Sequence, residues 1–245
     1  MAFGPRLEPR RVTKPGVERW PVKTGTDDDI ALVGKNVFAG KNFGAGIVEA
    51  TVEELVAMPR IPEMSNVGSL NPDFQSKRAI PVECVIWRIK AKIIELKLEA
   101  DGDYHLVLQG ATGETMIGEV PTPTKRFIED GPWLHNIKAA RQAVDDKLIH
   151  KISPADFVLS PKGMLVPRNS FTSPLPPLRS EFLPESFKTA PEGKEHLMPT
   201  FKTQVPATPA EITGVGFFDK VHGQDGVSLG NGIELHAILK IVFLD

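Results

Sequence analysis

The sequence carries a single cysteine, Cys84, in 245 residues. That excludes an intrachain disulfide and any multi-cysteine zinc site, and it leaves the redox compartment undecided. Nor does any stretch reach the roughly 18 apolar residues of a membrane-spanning helix. The basic N-terminus "MAFGPRLEPRRVTKPG" lacks the apolar core that a signal peptide needs. The expectation is a soluble protein with no membrane span, cytoplasmic as the chain stands and exported if a leader has been removed. A charge excess of either sign is missing too. A net charge of −2 argues against a protein whose main work is coating a phosphate backbone, while a local basic groove stays open. What the chain does have is 41% apolar residues, enough for one substantial core.

Residues 1–79 are rich in Gly, Pro and short polar runs, and they read as an N-terminal arm packed on a core formed elsewhere. One helix signal stands out there. In "TVEELVAM", Thr51 and Glu54 have capping-box spacing, and Val52, Leu55 and Val56 supply an apolar face. The run "GTDDDI" resembles a cation loop, but three adjacent acids cannot all point at one ion, so a solvated turn is expected.

From Ile80 the pattern changes. "IPVECVIWRIKAKIIELKLEA" alternates through Trp87, Ile89, Ala91 and Ile93, then resumes one step out of phase at Ile94, Leu96 and Leu98. A two-residue period with one slip predicts a long strand with a β-bulge. The strand takes in Cys84 as a small buried hydrophobe. "YHLVLQG" and "TMIGEVP" predict two more strands, joined through turns at "DGD" and "ATGE". Leu134, Ile137, Ala140, Val144 and Leu148 fall at helical spacing. "AEITGVGFFD" and "GIELHAILKIVFL" give the last two strands. Three strands, a helix and two strands is the order of an OB-fold, so residues 80–245 are expected to be a mainly β, five-stranded OB-fold-like barrel.

Residues 153–209 interrupt that order. Prolines as dense as those in "SPLPPLRSEFLPES" argue for neither sheet nor helix. Yet Phe157, Phe171, Phe182, Phe187 and Phe201 are more anchors than a free linker carries. The expectation is an ordered Pro-rich insertion packed on the barrel; a disordered loop and a docking site for a partner are the alternatives.

In the last strand, Ile233, Leu235, Ala237, Leu239, Ile241 and Phe243 share one parity and form a core face. Glu234 and His236 share the other, roughly 7 Å apart. Asp103, His105 and Glu119 lie on or beside the second and third strands, which form the usual OB binding face. His222 and Gln224 sit in the Gly-rich loop bordering it. These seven are the candidate ligand-binding residues, gathered around one barrel mouth. His105, His222 and His236, with Glu119 or Glu234, could hold a divalent metal and leave a position open for water. The spacing matches no HExxH motif. The plainer reading pairs Glu234 with His236 or a lysine on an exposed sheet face, with His222 ordering its loop.

The segments "WPVKTGTDDD", "KLEADGDYHLVL", "TMIGEVPTP", "GVGFFDKVHGQDGV" and "NGIELHAIL" together resemble a family of uncharacterised bacterial proteins. Its members look like single OB-type barrels, often with an exported leader. The resemblance implies that Asp103, His105, Glu119, His222, Gln224, Glu234 and His236 form the family's polar signature, and it brings no known activity. Family members often read "ELHP" where Ala237 stands here, and carry a cysteine where Thr124 stands. "IIELKLEADGDYHLVL" and "TMIGEVPTPT" are also similar to the start of thermonuclease-like OB domains. Those enzymes use acidic calcium ligands and two arginines. Here Ile117 or a neighbour stands where an arginine would be expected, and none follows Arg179. The likeness therefore implies the fold and not the mechanism.

Three functions follow as expectations. The first is an OB-fold binding or accessory protein for a small molecule, glycan or protein; nucleic acid is less favoured, because the last strands have few basic residues. Arg88, Lys90 and Lys92 could follow a backbone, but they equally describe one solvated strand face. The second is a metal-dependent hydrolase using the polar cluster. The third is a structural subunit that assembles through its arm and insertion.

Overall fold

The computed structural model describes residues 19–35, 37–38, 41–42, 46–64, 72–99, 102–123, 131–149, 157–159, 165–167, 201–221 and 223–244. It is mainly β, with one main helix. The central strand is β4, Ile86–Leu98. Its buried residues Trp87, Ile89, Ala91 and Ile93 alternate with Arg88, Lys90 and Lys92, then Leu96 and Leu98 take over the apolar row. The phase change read from the sequence is a register shift between Ile93 and Glu95, felt by both neighbouring strands. Extra backbone at that point bends the strand, so one strand can serve two sides of the structure.

Antiparallel β5 (Tyr104–Gln109) and β6 (Thr115–Val120) follow. β6 then pairs parallel with β10 (Ile233–Phe243), β10 antiparallel with β9 (Phe201–Phe218), and β9 antiparallel with β4. The hydrogen bonding therefore closes a ring through five strands. A sixth strand, β3 (Ile47–Ala50), comes from the N-terminal arm and pairs parallel with the first half of β4. β1 (Val37–Phe38) and β2 (Lys41–Asn42) make a separate two-stranded ladder.

Two expectations need correction. The sequence from Ser153 to Pro209 is not free of sheet: β7 (Phe157–Leu159) and β8 (Leu165–Pro167) pair antiparallel, and β9 already begins at Phe201. Proline is tolerated there because Ile93 pairs with Thr208 while Glu95 pairs with Gln204. Pro206 falls in the slack between those pairs, where no ladder donor is required. The rest of the Pro-rich stretch, with Phe171, Phe182 and Phe187, lies outside the described residues. The second correction concerns Cys84. It lies in a short 3-10 turn, Val82–Cys84, ahead of β4 rather than in the strand, and it is fully buried. Burial pushes its thiol pKa up to about 12, although Arg78 pulls the other way.

Helix α3, Leu134–Lys147, buries Ile137, Ala140 and Val144 against the core and packs on β10. It also holds the turn between β4 and β5. Arg141 donates to the carbonyls of Gly102 (2.7 Å) and Val120 (3.3 Å), and the Tyr104 hydroxyl donates to Asp145 at 2.6 Å. In the second half of the arm, α2 (Val52–Val56) has the full capping box: Thr51 Oγ1 accepts from the Glu54 amide (3.1 Å) and Glu54 accepts from the Thr51 amide (2.8 Å). These bonds satisfy two donors that a helix start leaves orphaned.

The five-residue helix α1, Trp20–Thr24, has little intrinsic stability, and two buried arginine–carboxylate pairs hold it in place. Arg19 reaches both oxygens of Glu83, at 2.6 and 2.5 Å, and donates to the carbonyls of Phe74, Lys77 and Phe218. Arg78 pairs with Asp27 at 2.5 and 3.0 Å and donates to the carbonyls of Glu83 and Val22. All four side chains are inaccessible to solvent. The run "GTDDDI" is accordingly a docking turn: Asp27 takes Arg78, Asp28 accepts from Ser76, and Asp29 accepts the Arg78 amide. Only part of it is solvated, since Asp27 is buried.

Candidate functional site

Register alone creates the site. His105 on β5 pairs with Glu119 on β6, and Glu119 pairs with His236 on β10. Directly opposed residues in adjacent strands share a face, so the three side chains form one row. Their neighbours Leu106, Gly118 and Leu235 form the next row, with Leu106 and Leu235 in the main apolar core. One residue of offset separates core from site. Further along the polar face, Glu234 stands in register with Ile117 and with Phe217 of β9.

This face is covered. His236 is 0% exposed, Glu234 1%, His105 2% and Glu119 8%. On one side α1 lies against β10, with the Arg19 guanidinium 4.6 Å from the centre of the Phe217 ring and the Lys23 ammonium 5.1 Å from it; the His236 and Phe217 rings are 5.5 Å apart. On the other side the loop between β9 and β10 crosses β5. Gly226 (φ 78°) sits so close to Val107 that a Cβ would be 2.6 Å from it, so the loop passes only with glycine there. Arg60 ties both ends of this loop, donating to the carbonyls of Asp219 and Asn231, while Asn231 donates to Leu55 and Met58.

Glu119 is the centre of the cluster. Its Oε2 lies 2.9 Å from His236 Nδ1, close but not aligned as a hydrogen bond, and its Oε1 lies 3.4 Å from His105 Nδ1. Glu99 Oε1 is 3.6 Å from the same His105 nitrogen, and the other His105 nitrogen, Nε2, is 3.1 Å from the Asp225 carbonyl. A carbonyl only accepts, so Nε2 carries the proton and, in the neutral ring, Nδ1 is bare. Asp103 is fixed by the Thr122 amide, which donates to its Oδ1 at 2.8 Å.

Burial works against charge here, and the neighbours decide where charge survives. Burial would raise the Glu119 pKa, but His236, Lys23 and His105 outweigh it and hold the carboxylate well below its usual range. Burial, with Asp219 and Glu119 adding repulsion, pushes Glu234 well above the usual carboxylate value. Burial lowers the His236 pKa from the ordinary imidazole value, although Glu119 pulls the other way. His105 is raised, because Glu119, Glu99 and the Asp225 carbonyl outweigh its burial. Half-buried Lys23 is raised despite its burial, because Asp219, Glu119, Glu234 and Asp103 surround it.

Of the residues singled out from the sequence, the structure brings Asp103, His105, Glu119, Glu234 and His236 to one covered face. Gln224 stays with its own loop, donating to the Lys220 carbonyl at 3.0 Å. His222 and Thr124 lie outside the described residues. Glu234 does not pair with His236 on an exposed face; both are buried, and His236 faces Glu119 instead. Two participants were missed. Glu99 joins because Lys97 pairs with His105 and Glu99 has the same parity as Lys97, a signal present in the hairpin register. Lys23 arrives from the arm with no sequence signal at all. Arg88, Lys90 and Lys92 form an outward row in which Arg88 meets Glu49 at 2.9 Å and Glu211 at 3.6 Å.

Two sets of residues each offer potential ligand atoms that lie within 4.8 Å of one another inside the set: Asp103, Glu119 and His236 form one, and Glu99, His105 and Glu119 the other. Among the described residues no helix is long and apolar enough to cross a membrane. No protein-family model, curated protein or solved structure matches this chain, so both family resemblances stand on the quoted sequence motifs alone.

Proposed function

We propose that this is a divalent-metal-binding protein built on an OB-type barrel, with Asp103, Glu119 and His236 holding the ion. The pairing order β4–β5–β6–β10–β9–β4, with the helix between the third and fourth of these strands in sequence, supports the OB reading. One observation carries the metal. His236 is fully buried, and among the described residues neither of its ring nitrogens has a hydrogen-bond partner; the same is true of both Glu234 oxygens. Buried polar atoms are rarely left so in native proteins. A cation held between His236 Nδ1 and the Glu119 and Asp103 carboxylates gives that buried nitrogen a partner. A mixed nitrogen and oxygen donor set suits Zn²⁺, Mn²⁺ or Fe²⁺ better than Ca²⁺.

The test is thermal unfolding of chelator-stripped protein with and without Zn²⁺ or Mn²⁺. At a hundredfold excess over Kd, binding adds about 2.7 kcal/mol, which for a chain of this length raises Tm by roughly 5–10 °C. His236→Ala should diminish that rise. A stripped protein with unchanged Tm, and purified protein free of metal by elemental analysis, would refute the proposal.

A metal-dependent hydrolase is the second reading, favoured by Glu234. Burial, with Asp219 and Glu119 beside it, pushes its pKa up, and a carboxyl shifted in that direction is the kind that can serve as a proton donor to a leaving group. The cover argues for binding first, because a substrate reaches His236 only if α1 or the β9–β10 loop moves. Metal-dependent cleavage of an activated phosphodiester or ester, lost in Glu234→Gln while metal content is kept, would select the hydrolase.

A further inference from the structure

We propose that the cluster is a dinuclear centre in which Glu119 bridges two divalent ions, one held by Asp103 and His236 and the other by Glu99 and His105. The inference rests on the metal-binding reading above and deepens it. Its starting point is that the two Glu119 oxygens face different histidines: Oε2 faces His236 Nδ1 and Oε1 faces His105 Nδ1. A carboxylate flanked in this way has the placement of a bridge.

The spacing suits metal bonds. With bonds of about 2.1 Å, ligand atoms 2.9 Å apart, as for His236 and Glu119, subtend about 90° at a shared ion. Atoms 3.4 and 3.6 Å apart, as around His105, subtend roughly 110–120° at the same bond length. Both fall within ordinary coordination angles. Each half then has the same composition: one imidazole, one terminal carboxylate and one oxygen of the bridge.

His105 supplies the second, independent observation. It is buried, its Nδ1 has no hydrogen-bond partner among the described residues, and that atom lies between two carboxylates. Its Nε2–H is committed to the Asp225 carbonyl at 3.1 Å. Metal-binding histidines characteristically donate their other ring N–H to a carbonyl or carboxylate, which fixes the tautomer and turns the free lone pair to the ion. Lys97, 2.7 Å from Glu99, steadies the terminal carboxylate of the same half. The Asp225 carbonyl belongs to the covering loop, so that loop orients a ligand as well as excluding water.

Two ions sharing a carboxylate sit about 3.5–4 Å apart, close enough for a bridging or doubly activated ligand.

The test uses the full chain, stripped with a chelator and loaded with Mn²⁺. The expected result is two Mn²⁺ per chain, with the electron paramagnetic resonance signal of a spin-coupled pair. His105→Ala should bind one and give an uncoupled signal. Glu99→Gln, at a partly exposed side chain with little risk to folding, should do the same. One uncoupled ion in the unaltered chain overturns the bridge and leaves the single-site proposal standing. Two ions that persist in both variants also overturn it. Binding of none overturns both.

Discussion

The two faces of the β5, β6 and β10 segment are equally dry and chemically opposite. Leu106 and Leu235 on one, and His236 and Glu234 on the other, are all within about one per cent of complete burial. Burial alone therefore does not separate core from site. The inner face is complete in itself: apolar groups need only contact, which the surrounding strands and α3 supply. On the outer face burial leaves polar atoms with unmet requirements, and a covered surface in that condition is where a ligand belongs. The cover makes the difference. Without α1 and the β9–β10 loop, water would satisfy the same atoms.

The comparison is broken most severely by removing the anchor of that cover. Glu83→Ala should cost about 3–5 kcal/mol, because it leaves the Arg19 charge buried without its partner. The Phe218 and Ala79 amides, which donate to Glu83 at 2.8 and 2.6 Å, lose their acceptor as well. Chemical denaturation of the metal-free protein measures it, and a cost below about 1 kcal/mol would mean that the pair does not hold the arm.

A sharper version mutates one residue on each face. Leu106→Ala should cost about 2–5 kcal/mol through lost burial and a cavity. Glu234→Gln in metal-free protein should change stability by less than about 1 kcal/mol, or raise it, since it removes a carboxyl with no hydrogen bond to lose. Similar losses at both positions would erase the distinction between the faces.

The effect that is smallest at neutral pH belongs to Cys84. Its thiol pKa is raised to about 12, so the stability it contributes is intact below the unfolded value near 9 and is lost as pH rises toward 12. Folding should weaken by up to roughly 1.4 kcal/mol per pH unit across that window, and less in Cys84→Ala. Urea titrations at pH 8, 9, 10 and 11 on both proteins give the difference, and parallel curves would exclude the effect.

How much of this was legible follows from range. β4, β5, β6 and α3 announced themselves because their signals are local: alternation, turn residues and helical spacing. Even the bulge in β4 was visible as a change of phase. The first half of β9 was hidden because Pro206 and Pro209 argue against sheet, and only the pairing with β4 shows where the ladder has slack. At the site, His105, Glu119 and His236 stood out as polar residues in apolar strands. Glu99 required the hairpin register, and Lys23 could not be found, since nothing in a 23rd residue speaks of a strand more than 200 positions later. The two arginine pairs that fix the arm were invisible for the same reason.

Those pairs have an implication beyond their strength. An apolar segment can slide along a greasy surface at modest penalty, whereas a guanidinium with its donors distributed over one carboxylate and three carbonyls accepts a single position. Arg19 thus works as an indexing pin. It fixes where the short helix comes to rest, and so which side chain of that helix is delivered over the Phe217 ring that flanks His236.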